Sequence, residues 1–195
     1  MARNQDRRRQ LADAGLTVLA EQGARGLTHR AVDRHAGVPA GTASNYFRDR
    51  GALIEGLVER IGERLTPDPA VLERLGTAEP SRALLADYLR YVIERVMRDR
   101  AIAVSLFELR LEATRRPEVA AVLARWRRDG FAADIAFHRH AGLPGTVTEL
   151  SLFHYAIDGL VLDRLTDPLD PETTTDRVVD LLVERLLVTP RSTEG

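Results

Sequence analysis

At 195 residues, with 28 arginines against 29 acidic side chains and neither lysine nor cysteine, the chain has ample length for a core and no disulfide or thiolate chemistry, as suits a reducing cytoplasm. No apolar run approaches the ~20 residues that cross a bilayer, and the basic start lacks the apolar segment of a signal peptide, so no membrane association is expected. Charge is unevenly spread: residues 1–50 carry nine arginines against five acids, and the remaining 145 carry nineteen against twenty-four, a basic head suited to phosphate on an acidic body.

A first helix is predicted over residues 6–22, where Leu11, Gly15, Val18, Leu19 and Gln22 follow helical spacing beside Ala12 and Leu16. Ahead of it, Arg3, Arg7, Arg8 and Arg9 admit two readings: a frayed, solvated terminus, or an arm that contacts phosphates or enters a minor groove. A short helix follows, with Thr28 as N-cap and Val32 and Ala36 four apart on one apolar face. Gly37 ends it in the left-handed conformation, Val38 plugs the corner, and Pro39 presets a helix-starting φ. The next helix, over 40–47, is too short and polar for a core element. Ala43 and Phe47 anchor it from behind, leaving Gly41, Thr42, Ser44, Asn45 and Tyr46 outward. Two short helices joined by a glycine-containing turn, the second displaying hydrogen-bonding side chains, form a helix-turn-helix.

Asp49 then caps a helix over 50–65, striped by Leu53, Leu57, Ile61 and Leu65 and stopped by Thr66-Pro67-Asp68-Pro69. Arg50 cannot favour the dipole at that helix start and reads as a phosphate contact. Residues 69–80 are loop-like, with a turn of helix at 70–75. Helices are predicted over 81–98, 101–115 and 117–140, the last broken by Gly142-Leu143-Pro144-Gly145. Thr146 to Glu149 fits a capping box opening a helix to about 165. Asp170-Pro171 reads as N-cap and first turn of a last helix over 172–187, ahead of a polar tail. These two final helices are apolar on more than one face, and the surplus calls for a partner across a two-fold axis. The fold class is therefore all-α, with a helix-turn-helix domain at 1–49 and a larger helical domain at 50–195.

The run Ala36-Gly37-Val38, then Gly41-Thr42 and Tyr46-Phe47, with Gly23, Gly26-Leu27-Thr28 before and Asp49-Arg50 after, resembles the DNA-binding domain of the TetR family of bacterial transcriptional regulators. The resemblance implies a homodimer on a double-stranded DNA operator, with the helix over 40–47 in the major groove. Thr42, Ser44 and Asn45 are then candidates for base edges, Asn suiting adenine. Tyr46, Thr28 and Arg50 are candidates for phosphate contacts, His29 and Arg30 for either, and Gly41 permits close backbone approach. Pro39, Ala40, Asp33 and Ser44 depart from the family's usual residues. The resemblance also implies a small-molecule effector pocket in the helical body, with the helix over 50–65 as lever between pocket and DNA. Its candidate lining is Phe107, Arg110, Trp126, Phe131, His154, Tyr155 and Asp158, a mainly apolar wall with a few polar groups.

No cofactor is implied. His138 and His140 lie two apart on a helix and point in opposite directions, and His154 with Asp158 finds no third metal ligand. Ser105 and Ser151 lack a strained-turn motif, so an enzyme is not expected. The reading is a ligand-responsive regulator, most simply a repressor. The alternatives are a DNA-binding regulator without effector, or an activator.

Overall fold

A computed structural model describes residues 2–187, and the regular elements among them are all helices. In chain order they are α1 (Ala2–Gly26), α2 (His29–His35), α3 (Thr42–Tyr46), α4 (Arg50–Arg64), α5 (Pro69–Gly76), α6 (Arg82–Met97), α7 (Arg100–Ala113), α8 (Pro117–His140), α9 (Val147–Leu165) and α10 (Thr175–Leu186). The described residues divide into two compact units. One contains residues up to Thr66 together with Asp99–Gly130; the other contains Pro67–Arg98 and the described residues from Phe131 onward.

In the first unit, α1 packs on α2, α4 and α7. Leu11, Val18 and Leu19 of α1 and Leu53 and Leu57 of α4 are fully buried there. Each such leucine contributes about 1.5–3 kcal/mol over its exposed state. Close approach of α1 and α4 needs Gly15, where a Cβ would sit 2.7 Å from Leu57 Cδ2.

The basic N-terminus is helical rather than frayed. It forms the first turns of α1, because α4 offers it acids: Arg8 pairs with Glu59 at 2.8 Å and Arg9 with Glu63 at 3.1 Å. α1 is interrupted at Gly23, whose φ of 67° takes it out of helical geometry.

In the second unit, α6 packs on α9 and α10, and α5 on α6. The capping box opening α9 is complete: Glu149 N–H donates to Thr146 Oγ1, and Thr146 N–H donates to the Glu149 carboxylate. The last helix begins later than its Asp-Pro pair predicts. Asp170 accepts from the N–H groups of Glu172 and Thr173 and the Thr173 hydroxyl, and Arg164 donates to Asp170 O and Thr173 O. This closes a separate turn, so Thr174 caps α10 instead, accepting from Arg177 N–H. The predicted polar tail lies outside the described residues.

Candidate nucleic-acid interface

Helices α2 and α3 meet through the turn that Gly37 permits, at φ 64°. Thr28 caps α2, accepting from Ala31 N–H at 3.1 Å. α3 is shorter than expected. Pro39 and Ala40 remain in the turn, and its N-cap is Gly41 at φ 90°, with no side chain to do the capping. Asp33 supplies what is missing. Its buried carboxylate accepts from Gly41 N–H through one oxygen and from Ala43 N–H through the other, both at 2.7 Å. Thr42 N–H, between them, donates to Pro39 O.

The other end of α3 is held as firmly. Arg8 donates to Tyr46 O at 3.3 Å and lies 4.8 Å above the Phe47 ring. His29 Nε2 donates to Phe47 O at 2.6 Å. Ala43 and Phe47, at 0% exposure, are the apolar anchors the sequence predicts. Phe47 fits only because Gly56 has no side chain; a Cβ there would stand 2.3 Å from the ring.

The remaining candidates sort by exposure. Ser44, Asn45, Gly41, Thr28 and Arg30 are exposed, and Thr42 is half-exposed. Thr42 and Ser44 donate their hydroxyls to Pro39 O and Gly41 O. That leaves their oxygens facing outward as acceptors. Tyr46 is half-buried against the core, and His29 is half-buried beneath α3 rather than displayed.

Arg50 also points inward. It donates to Leu27 O at 2.5 Å and Ala24 O at 2.6 Å, with buried Glu112 3.7 Å away. These carbonyls are left over at the α1 corner, so the guanidinium ties α4 to it instead of extending outward as a phosphate contact. Arg34 and Arg48, which have no signal in the sequence pattern, are also exposed. Asp49 pairs with Arg48 and caps α4 by accepting from Ala52 N–H; that bond is the first cause holding its carboxyl below the ordinary value.

The expected effector residues fall in both units. In the first, Arg110 stacks 5.5 Å above Phe107, and Trp126 packs on the core beside Gly62. In the second, Phe131 meets His154 edge-on at 5.1 Å, and His154 Nε2 lies 3.2 Å from Asp134. Asp158 is half-buried one turn along. Tyr155 is no pocket wall within the chain. It is 66% exposed, because α9 turns that face away from its own core. Among the described residues no group of three or more metal-ligating side chains converges, and no helix is long and apolar enough to cross a membrane.

An exposed helix-turn-helix among helices is the architecture of DNA-binding regulators. Residues 80–188 match the tetracyclin repressor-like C-terminal domain, and residues 11–57 match the bacterial regulatory proteins of the tetR family. The chain belongs to the TetR family. The HTH-type transcriptional regulator BetI of Escherichia coli O17:K52:H18 (strain UMN026 / ExPEC) is 40% identical over 86 residues, 42% of this chain and 43% of BetI. The match thus spans less than half of that relative. A TetR-family member from Streptomyces coelicolor A3 is 26% identical with a TM-score of 0.69, covering 94% of this chain and 99% of that one. The multidrug binding protein EbrR, complexed with ethidium, is 26% identical with a TM-score of 0.64, over the same shares of the two chains.

Proposed function

We propose that the protein is a repressor that binds an inverted-repeat operator as a homodimer and is released by a small-molecule effector. The observation that carries the DNA half is the outward side of α3, where Thr42, Ser44 and Asn45 present hydrogen-bonding groups from a helix anchored at both ends. Arg30, Arg34 and Arg48 flank it with exposed charge for phosphates. Thr28 and Tyr46 serve at the same margin, while His29 and Arg50 act from behind by holding α3 and α4 in place.

The dimer is supported by α9. Leu152, Tyr155 and Leu162 are 39%, 66% and 45% exposed along one stripe, with Gly159 open between them. A second copy of α9 and α10 covers such a face in a two-fold bundle.

The effector half rests on the Phe131–His154–Asp134 cluster with Asp158 nearby, an edge-on aromatic contact beside polar groups open to solvent. The EbrR complex with ethidium, a flat aromatic cation, supports a ligand of that chemistry. Effector and DNA would each favour a different arrangement of the dimer, and repression falls by the difference in effector affinity between the two.

Selecting duplexes from a random pool with the purified protein tests the reading. An inverted repeat should emerge, and challenge of the complex with aromatic cations should release it. Recovery of no preferred duplex would sink the DNA assignment. A complex indifferent to every ligand would leave the effector-free regulator in its place.

A further inference from the structure

A recognition helix of five residues cannot hold its own geometry, since nucleation alone outweighs so few hydrogen bonds. Its orientation must be imposed from outside. Behind it, Ala43 and Phe47 fix how deep it sits. Burial of two apolar side chains is non-directional, however, and does not fix how far the helix is rolled about its own axis. Roll decides which side chains face the groove: Ser44 and Asn45 are outward only while Ala43 is inward.

From this geometry we infer that Asp33 is a positioning residue for DNA reading, setting the roll of α3 from the preceding helix; the inference rests on the DNA-binding reading above. The carboxylate is 3% exposed and engages two N–H groups of the amino end of α3, one per oxygen, each at 2.7 Å. Two bonds from one rigid planar group restrain rotation as one cannot, and charge-assisted bonds to a helix amino end are the stronger kind. No residue of α3 or its N-cap could substitute, because the cap position is Gly41.

The same arrangement has a second consequence. Gly41, Thr42 and Ala43 donate their N–H groups to Asp33, Pro39 and Asp33 in turn. Three N–H groups at the amino end of the recognition helix are therefore already engaged, and an anion sits beneath it. Phosphate contact falls to the flanking arginines, and Asp33 influences DNA only through the helix it holds.

Asparagine is nearly isosteric with aspartate but has a single acceptor oxygen, so Asp33→Asn keeps one of the two bonds. Asp33→Ala keeps neither. Binding of the full-length protein to its selected duplex and to random duplex would be measured across a salt series, below the melting temperature of each variant. Expected are a fall of about tenfold in affinity for the selected duplex in Asp33→Ala, the size of a lost cap, and a smaller fall in Asp33→Asn. Random-duplex affinity and the salt dependence should stay at their wild-type values, because no phosphate contact is lost. A residue that merely stabilised the fold would lower the melting temperature and leave the selected-to-random ratio of folded protein unchanged; that outcome overturns the inference. So does tighter binding of both duplexes, which would make the carboxylate a simple repellent of DNA. Failure of both variants to fold would make Asp33 a stability residue and also overturn it. Should the wild-type protein select no duplex, the DNA-binding reading itself fails first.

Discussion

At the scale of single residues, Arg50 and Asp33 each act through backbone groups of a neighbouring segment, one on carbonyls and the other on N–H groups. Arg50 is a cation at a helix start, where the dipole disfavours it, and the sequence offers phosphate as the natural partner. The carbonyls of Ala24 and Leu27 take it instead, from residues more than twenty positions away. Asp33 is the reverse case. An acid beside Val32 on an inward-facing turn looks like a blemish in the sequence until the two N–H groups it receives are in place. Small residues carry equal weight. Gly56→Ala would drive a methyl group into the Phe47 ring, 2.3 Å away, and such overpacking typically costs about 1–3 kcal/mol. Denaturant unfolding should show that loss, with weaker operator binding beside it because Phe47 underlies α3. An unaltered unfolding midpoint would mean that the ring has room to yield.

At the scale of elements, starts and stops were legible wherever a local signal acts alone. Thr28, Asp49 and Thr146 cap the helices predicted from them. Competition between signals was not legible: Asp170 has the look of a cap, yet Arg164 reaches over from α9 and holds its turn closed. The end of α8 yields a pH prediction. His138 is buried, its Nε2 has no hydrogen-bond partner, and desolvation pushes its pKa below the ordinary 6.5, against the smaller upward pulls of the Gly145 and Pro144 backbone and Glu149. Above pH 6.5 the histidine is neutral folded or unfolded and imposes no penalty. As pH falls below 6.5, the unfolded chain takes up a proton before the folded one, so stability drops until the lower folded pKa is passed. Melting temperatures between pH 8 and 5 should therefore decline less steeply in His138→Gln than in the wild type. Parallel declines would assign the pH response to other groups.

At the scale of the whole molecule, doubly apolar helices gave the sequence reading its dimer, and the structure separates their two faces. Phe153 and Val161 of α9 are buried, while Leu152, Tyr155 and Leu162 are left to solvent. If a second copy covers them, Leu162→Glu should yield a monomer by light scattering and lose operator binding, whereas a variant that stays dimeric would move the interface elsewhere. The helical class and the helix-turn-helix were readable because they depend on spacing and on glycines with one conformational use. Tyr155 could not be assigned from sequence, since an aromatic on a mostly apolar helix has the same pattern whether it faces core, pocket or partner.

From Pro39 to Phe47 the chain carries no charged side chain; its cations lie on either side. Search and discrimination are thereby given to different parts of the protein. On the proposed reading, arginines that grip any duplex would set how long the protein lingers on DNA, and a handful of neutral groups would set where it stops. Exchange of Ser44 or Asn45 could retarget the regulator to new genes without changing its general hold on DNA, which makes this short stretch the place where related regulators can diverge.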